Sequence, residues 1–345
     1  MTAARRTDAP LRELNTFGVR ALARELWTLE DRTDLPGLLA ALRTAGTDDP
    51  LMLGGGSNLL ITGDLDIPVI AVRLRGRSLV AEAGDSVTLE AAAGESWDGL
   101  VRWSLAAGLC GLENLALIPG SVGAAPIQNI GAYGAELREC FESLEAVHLG
   151  HGGARRFDAA ECAFGYRDST FRHGDGARWL ITSVRLRLSR RPALKLDYGE
   201  IREQLRHDRV SAPRCVDVAD AVTAIRRRRL PDPALLGNAG SFFRNPVVGA
   251  SIADALSSRE PGLPRWPAGD RVKLSAAWMI ERCGWKGRRD GDAGVHASHA
   301  LVLVNHGEAS GEDLLRLARA IRDSVHARFG VRLDAEPVIV GPGRL

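Results

Sequence analysis

The sequence predicts an α+β fold, and three observations carry that prediction. Strand-like runs follow one another directly, with helices only at intervals, where a doubly wound sheet would alternate them. No GxGxxG follows a strand and opens a helix, and no GxxxxGKS/T occurs, so the Rossmann and P-loop fingerprints are absent. At 345 residues the chain exceeds one ordinary core, so two or three domains are expected.

Leu35 to Ala45 (LPGLLAALRTA) reads as a helix, and LMLGGG as a strand entering a glycine turn. VIAVRL continues as a strand, and SLVAEAGDSVTLEAAAG is a hairpin around Ala-Gly-Asp. A helix from Trp97 to Ala107 stops at Gly108. Strands follow around SLEAVHL and WLITSVRLRLS. RRPALKLDYGE reads as a connecting loop and DVADAVTAIRRRRL as a helix with a basic end. PDPALLGNAGSFFRNPVV is a Pro- and Gly-rich junction, VKLSAAWMIERCG is helical, and ALVLVN is a buried strand. The helix Glu312 to Phe329 has a cap-like start at Ser310 and Asp313 and an apolar stripe of Leu314, Leu317, Ile321 and Val325. VRLDAEPVIVG closes the chain as a strand. Trp103 and Trp278 are expected in the core beneath their helices.

Composition narrows the function classes. Forty-five Lys and Arg face 43 Asp and Glu, and a net charge of +2 gives no reason to expect nucleic acid or an anionic membrane. Five scattered cysteines without a CxxC argue against a disulfide framework or a zinc site, so packed, reduced thiols of a cytoplasmic protein are expected. MTAARRTDAPLRELNTF has no apolar stretch suited to a signal peptide. His296 and His299, three apart in VHASH, have no third ligand placed to help them, so no metal is expected.

Two glycine-rich elements carry the candidate chemistry. LGGGSNLL, Leu53 to Leu60, puts three glycines after a short strand, where backbone N–H groups can meet an anion and Ser57 and Asn58 add donors. A plain glycine turn is the alternative. Asn114 to Ala135, NLALIPGSVGAAPIQNIGAYGA, is 22 residues without a charge. Pro119, Pro126, Gln128 and Asn129 exclude a lone helix in lipid. Gly120, Gly123, Gly131 and Gly134 alternate with small residues, so backbone can lie against a flat ligand, with Ser121, Gln128, Asn129 and Tyr133 as isolated polar contacts. A tight turn packed on a sheet is the competing reading. Loops about sixty residues apart suit the pyrophosphate and ring of one dinucleotide.

LGGGSNLL followed by ENLALIPGSVGAAPIQNIGAYGAEL resembles the UDP-N-acetylenolpyruvoylglucosamine reductase family. LNTFGV, FGYRDSTFR, LPDPALLGNAGSFFRNPVV and FGVRLDAEP extend the resemblance, in order, over nearly the whole chain. It implies an FAD-binding fold of the vanillyl-alcohol-oxidase type in two α+β subdomains, residues 1–75 (joined by 331–345) and 76–215, with a substrate-binding domain over 216–330. It further implies a cytoplasmic monomer with FAD as cofactor, NADPH as hydride source and the enolpyruvyl UDP-sugar as acceptor.

The implied site residues follow the motifs. FAD contacts fall on Leu53, Gly54, Gly55, Gly56, Ser57, Asn58, Leu59, Ile118, Pro119, Gly120, Ser121, Gly123, Ala124, Gln128, Asn129, Gly131 and Tyr133. Arg167 in GYRDS matches the catalytic arginine, with a structural Arg167–Asp168 network as the alternative. Ser241 in GNAGSFF matches the proton donor, and Glu336 in RLDAEP the catalytic glutamate. Asp334 and Ala335 stand where the family commonly has a glutamate and a proline, which makes Asp334 the competing carboxylate. Tyr198 in DYGE, Arg229 before LPDP (where a lysine is usual) and Asn245 in RNPVV match substrate contacts. Arg226 to Arg228 also read as a solvated helix end favoured by the dipole. A flavin oxidase of the same fold, or a nucleotide-binding protein without catalysis, would share the glycine loops.

Overall fold

The computed structural model describes residues 3–47 and 49–345, and the chain forms two units from interleaved segments. The first takes residues up to Ala9, Ala23–Gly55 and Asp66–Arg228; the second takes Pro10–Leu22, Gly56–Leu65 and Arg229–Leu345.

In the first unit, the strands Leu22–Leu29, Val69–Val72 and Leu51–Leu53 pair in parallel, with Ala4–Pro10 at the edge beside Leu22–Leu29. All four residues of Val69–Val72 are buried, as a run of β-branched and small apolar residues inside a sheet requires. Helix α1 (Leu35–Thr44) covers this sheet through Leu35, Leu38, Leu39 and Leu42. A five-stranded antiparallel sheet runs in the order Ala154–Asp158, Phe141–His148, Trp179–Ser189, Ser86–Ala92, Arg77–Ala83. Its last pair is the expected hairpin, turned at Gly84 with φ +59°. Helix α2 (Trp97–Ala106) starts where Ser96 accepts from the Gly99 N–H and buries Trp97, Leu100 and Val101. Helices α3 (Gly199–His207) and α4 (Cys215–Arg229) complete the unit, their buried faces joining the same core. The structure adds α3 where the sequence suggested a loop up to Glu200 and left the following residues unassigned.

The second unit holds helices α5 (Ala250–Arg259), α6 (Ala276–Arg282) and α7 (Gly311–Phe329). A four-stranded antiparallel sheet runs Gly237–Ser241, Val302–Asn305, Ala293–Val295, Arg289–Asp290. A smaller sheet joins Val247–Gly249, Arg271–Leu274 and Arg265–Ala268, and Val338–Val340 lies parallel to Leu59–Ile61. Helix α7 has the expected reciprocal Ser310–Asp313 capping box, and its stripe of Leu314, Leu317, Ile321 and Val325 is buried.

Four expectations are corrected. VKLSAAWMIERCG is not one helix: Arg271–Leu274 is a strand, and α6 begins only after Ser275, whose hydroxyl accepts from the Trp278 N–H. The Pro-Gly junction holds two strands, because pairing with Val302–Asn305 overrides the poor strand propensity of Gly237–Ser241. Trp103 and Trp278 are half-buried, with Arg77 and Arg282 lying over their rings. Finally, Cys110 and Cys215 are joined by a disulfide across a sequence separation of 105. A loop of that length corresponds to about 4–5 kcal/mol of lost denatured-state entropy in the chain-entropy picture. Cys140, Cys162 and Cys283 remain thiols, and burial pushes Cys140 and Cys162 up to about 12.

Candidate active site

The two glycine loops meet within the first unit. A Cβ built on Gly55 would stand 2.8 Å from the Gly120 Cα, and one on Gly54 would stand 2.4 Å from the Ser121 Oγ. The loop after Leu53 therefore lies backbone-to-backbone against the charge-free run, a closeness that side chains larger than hydrogen would prevent. Leu53 is fully buried at the end of its strand, Ser121 is nearly so, and Arg73 donates to the Gly54 carbonyl at 2.9 Å. Ile118, Pro119, Ala124 and Gln128 line the remainder of the run, with the Gln128 side chain accepting from Arg172 at 3.3 Å. Gly123 packs on Ala93, where a Cβ would come within 2.5 Å of the alanine methyl.

Three side chains hold this run in shape. Leu117 has φ +57°, unfavourable for a residue with a Cβ. Its N–H donates to Asp98 at 2.5 Å and its carbonyl accepts from Arg226 Nε at 3.2 Å, so both faces of the strained peptide are held. Arg226 is thus not the solvated helix end that its sequence context suggests. Burial moves its pKa down, and the charges of Tyr133, Asp98 and Arg167 act on it. Asn129 is completely buried at φ +42°, donating to Glu136 and the Gly165 carbonyl at 3.0 Å each and accepting from the Arg138 N–H. Its side chain is committed to protein groups, a scaffold role that composition alone does not reveal.

Arg167 sits at φ +55° and donates to the Gly131 carbonyl at 2.7 Å, which brings a guanidinium directly to the charge-free run. Gly131 admits it: a Cβ there would lie 3.0 Å from Arg167 Nη1. Asp168 pairs instead with His173 at 2.7 Å and Arg172 at 3.9 Å. Tyr198 is exposed and stands edge-on to Tyr133, ring centres 5.2 Å apart. A residue matched to the substrate loop therefore touches one matched to the cofactor run.

The second unit gathers the other candidates. Gly56 turns at φ +64° against the Leu14 carbonyl, Ser57 follows, and Leu59 enters the strand beside Val338–Val340. Asn58 donates to the Glu336 carbonyl at 3.3 Å, and its own carbonyl accepts from the Val338 N–H at 2.9 Å. The Glu336 N–H donates to the Phe242 carbonyl at 2.8 Å, and Arg244 N–H to the Asp334 carbonyl at 3.0 Å. This cross-link carries Glu336 to the residue that follows Ser241. Ser241 lies at a register shift in its strand after Gly240, φ +69°, an irregularity that re-aims a side chain. Glu336 is half-buried and Asp334 exposed, which favours Glu336 as the carboxyl to be desolvated. The Asn245 side chain accepts from the Ala276 N–H at the start of α6.

Arg229, Lys286 and His299 of the second unit interact through their charges. Burial pushes the His299 imidazole below its usual range, and the charges of Arg229, His296 and Lys286 push it further. Burial likewise lowers His296 and His306. Below the ordinary value of 6.5 the unfolded chain therefore binds protons that the folded chain refuses, and stability falls as pH drops through that value. Thermal melts should show Tm falling by several degrees between about pH 7.5 and pH 5.5, with His299→Gln flattening the slope. A Tm that rises over that interval would contradict this assignment. The lowered carboxylates Asp292 and Asp313 act only in the acid range below 3.8.

The residues of the first unit fit a flavin dinucleotide: a backbone cradle that a Cβ would fill, a charge-free wall, and one guanidinium at its edge. Comparison with known proteins agrees. Residues 33–158 match the FAD binding domain, and residues 232–340 match the UDP-N-acetylenolpyruvoylglucosamine reductase C-terminal domain. The UDP-N-acetylenolpyruvoylglucosamine reductase of Chromobacterium violaceum is 53% identical, over 99% of this chain and 100% of its own. That of Pseudomonas aeruginosa is 52% identical over 95% and 96%. The crystal structure of the Thermus caldophilus reductase, 29% identical, superposes with a TM-score of 0.66 over 98% of this chain and 99% of that one. With FAD as its cofactor and an α+β fold as its frame, the chain belongs to the UDP-N-acetylenolpyruvoylglucosamine reductase family of oxidoreductases.

Proposed function

We propose that this protein reduces UDP-N-acetylglucosamine enolpyruvate to UDP-N-acetylmuramate with NADPH, as a cytoplasmic monomer supplying peptidoglycan precursors. The observation that carries the reading is the Glu336 N–H to Phe242 carbonyl bond, which brings the backbone of Glu336 to that of Phe242, next to Ser241. Residues 1–75 with 331–345, and residues 76–215, serve the cofactor, and residues 216–330 the sugar. No helix among the described residues is long and apolar enough to cross a membrane.

FAD held by the Gly54–Gly55 turn and the run around Gly120 would supply hydride transfer from NADPH to the sugar's enolpyruvyl group. The chain's residues handle the charge and the proton. Hydride arriving at the terminal carbon of the enol ether pushes an electron pair toward the conjugated carboxylate. Arg167 is permanently charged and can bind that carboxylate bidentately. Glu336 is the carboxyl that hydrogen-bonds to the same developing charge. Ser241 gives its hydroxyl proton to the carbon bearing the carboxylate, completing addition across the double bond. The net change consumes NADPH, one proton and the enolpyruvyl sugar, and yields NADP and the saturated ether.

Tyr198, Arg229 and Asn245 bind the UDP diphosphate. Arg229 keeps the positive charge of the usual lysine in a planar form. Asn129 and the Leu117 clamp act by holding the cofactor run rather than by direct contact. The test is NADPH oxidation by the purified yellow protein with and without the enolpyruvyl sugar. Oxidation should depend on the sugar and yield UDP-N-acetylmuramate stoichiometrically; oxidation indifferent to the sugar, with oxygen consumed instead, would overturn the reading in favour of a flavin oxidase.

A further inference from the structure

We propose that the Cys110–Cys215 pair is a reversible thiol–disulfide exchange site whose oxidised state orders the Tyr198 segment and whose reduced state loosens it. The link to sugar affinity rests on the function proposed above; the exchange and the ordering do not.

The bond joins two differently anchored pieces. Cys110 is fixed to the five-stranded sheet by paired backbone bonds with Ser189, at 2.8 and 3.0 Å. Cys215 is the first residue of α4. From α4 the path to Tyr198 is short. Arg228 donates to the Gln204 side chain at 2.6 Å, and Gln204 also donates to both Asp208 oxygens at 2.9 Å, which binds α4 to α3. Tyr198 immediately precedes α3, and the Ile201 N–H donates to its carbonyl. From Cys110 a second path runs through Asn114, which donates to the Lys195 and Tyr133 carbonyls at 3.0 and 2.8 Å. The disulfide thus closes a ring of contacts around residues 195–204.

The chemistry suits exchange. Cys110 is half-buried and Cys215 only 6% exposed, so Cys110 is the more accessible of the two to an external thiolate. Its attack forms a mixed disulfide at Cys110 and expels the Cys215 thiolate, which the N-terminus of a 15-residue helix stabilises before it takes a proton. A second thiol then attacks the sulfur of the attached reagent, releasing the reagent's disulfide and the Cys110 thiol. Two small thiols give up two electrons and two protons in all; the disulfide of the same couple reverses the change. Of the other thiols, Cys140 and Cys162 are buried and held protonated, and burial also raises Cys283.

The experiment equilibrates the wild-type holoenzyme in glutathione buffers of graded potential. Alkylation under denaturing conditions should count three reactive cysteines in the oxidised protein and five in the reduced one. Hydrogen exchange over residues 195–207 should quicken on reduction. The sugar KM should rise about three- to tenfold, as expected if the ordered population falls to about a third or a tenth, while flavin reduction by NADPH stays unchanged. Cys110→Ser and Cys215→Ser should reproduce the reduced state and no longer respond to the buffer. Five alkylated cysteines at every potential, or equal exchange over 195–207 in both states, would overturn the proposal. Altered exchange without any sugar turnover in either state would uphold the ordering device while refuting the reductase reading.

Discussion

Ser241→Ala is expected to leave flavin reduction by NADPH at its wild-type rate and to slow reoxidation by the enolpyruvyl sugar by about 10²- to 10⁴-fold, the range for loss of a positioned proton donor. Only the second half-reaction forms a carbon–hydrogen bond from a proton. Gly240 and the strand irregularity set the Ser241 direction through backbone alone, so removing one oxygen should leave the pairing with Val302–Asn305 intact. Stopped-flow of the separate half-reactions is the measurement. Equal slowing of both would assign Ser241 a structural part instead.

Gly55→Ala is expected to give a protein without bound flavin. The new methyl would stand 2.8 Å from the Gly120 Cα, a backbone atom that cannot turn aside as a side-chain end could. The two loops must part, and the surface they make together is lost. Gly84→Ala supplies the comparison: its Cβ meets nothing within 4 Å, though its φ of +59° carries strain of about 1–2 kcal/mol. Absorbance of the purified variants reports flavin, and a melt reports folding. A Gly55→Ala protein as yellow as wild type would show that contact between the loops is unnecessary for the cofactor.

Much of the fold was legible locally. The helix Gly311–Phe329 has its cap and stripe in adjacent residues, and the hairpin around Gly84 has alternation on both arms. The strand Leu22–Leu29 was not legible. LARELWTL is rich in helix formers, and parallel pairing with Val69–Val72 overrides that preference. Helix α3 escaped notice because its start at Tyr198 has no side-chain cap. Arg226 read as one of four similar arginines at a helix end, yet it reaches the Leu117 carbonyl, since helical periodicity turns it inward while Arg227 faces solvent.

What the sequence determined by itself was the chemistry available: a charge-free glycine run, a serine between Gly240 and Phe242, an arginine in GYRDS and a carboxylate near the chain end. These depend on residue type and on spacing within a few positions. The tertiary structure alone decided which of them meet. It laid Gly55 on Gly120, brought Glu336 to Phe242, held Leu117 between Asp98 and Arg226, and joined Cys110 to Cys215. Each partner lies far away along the chain, and its approach follows from the packing of whole sheets and helices, which no local pattern of residues encodes.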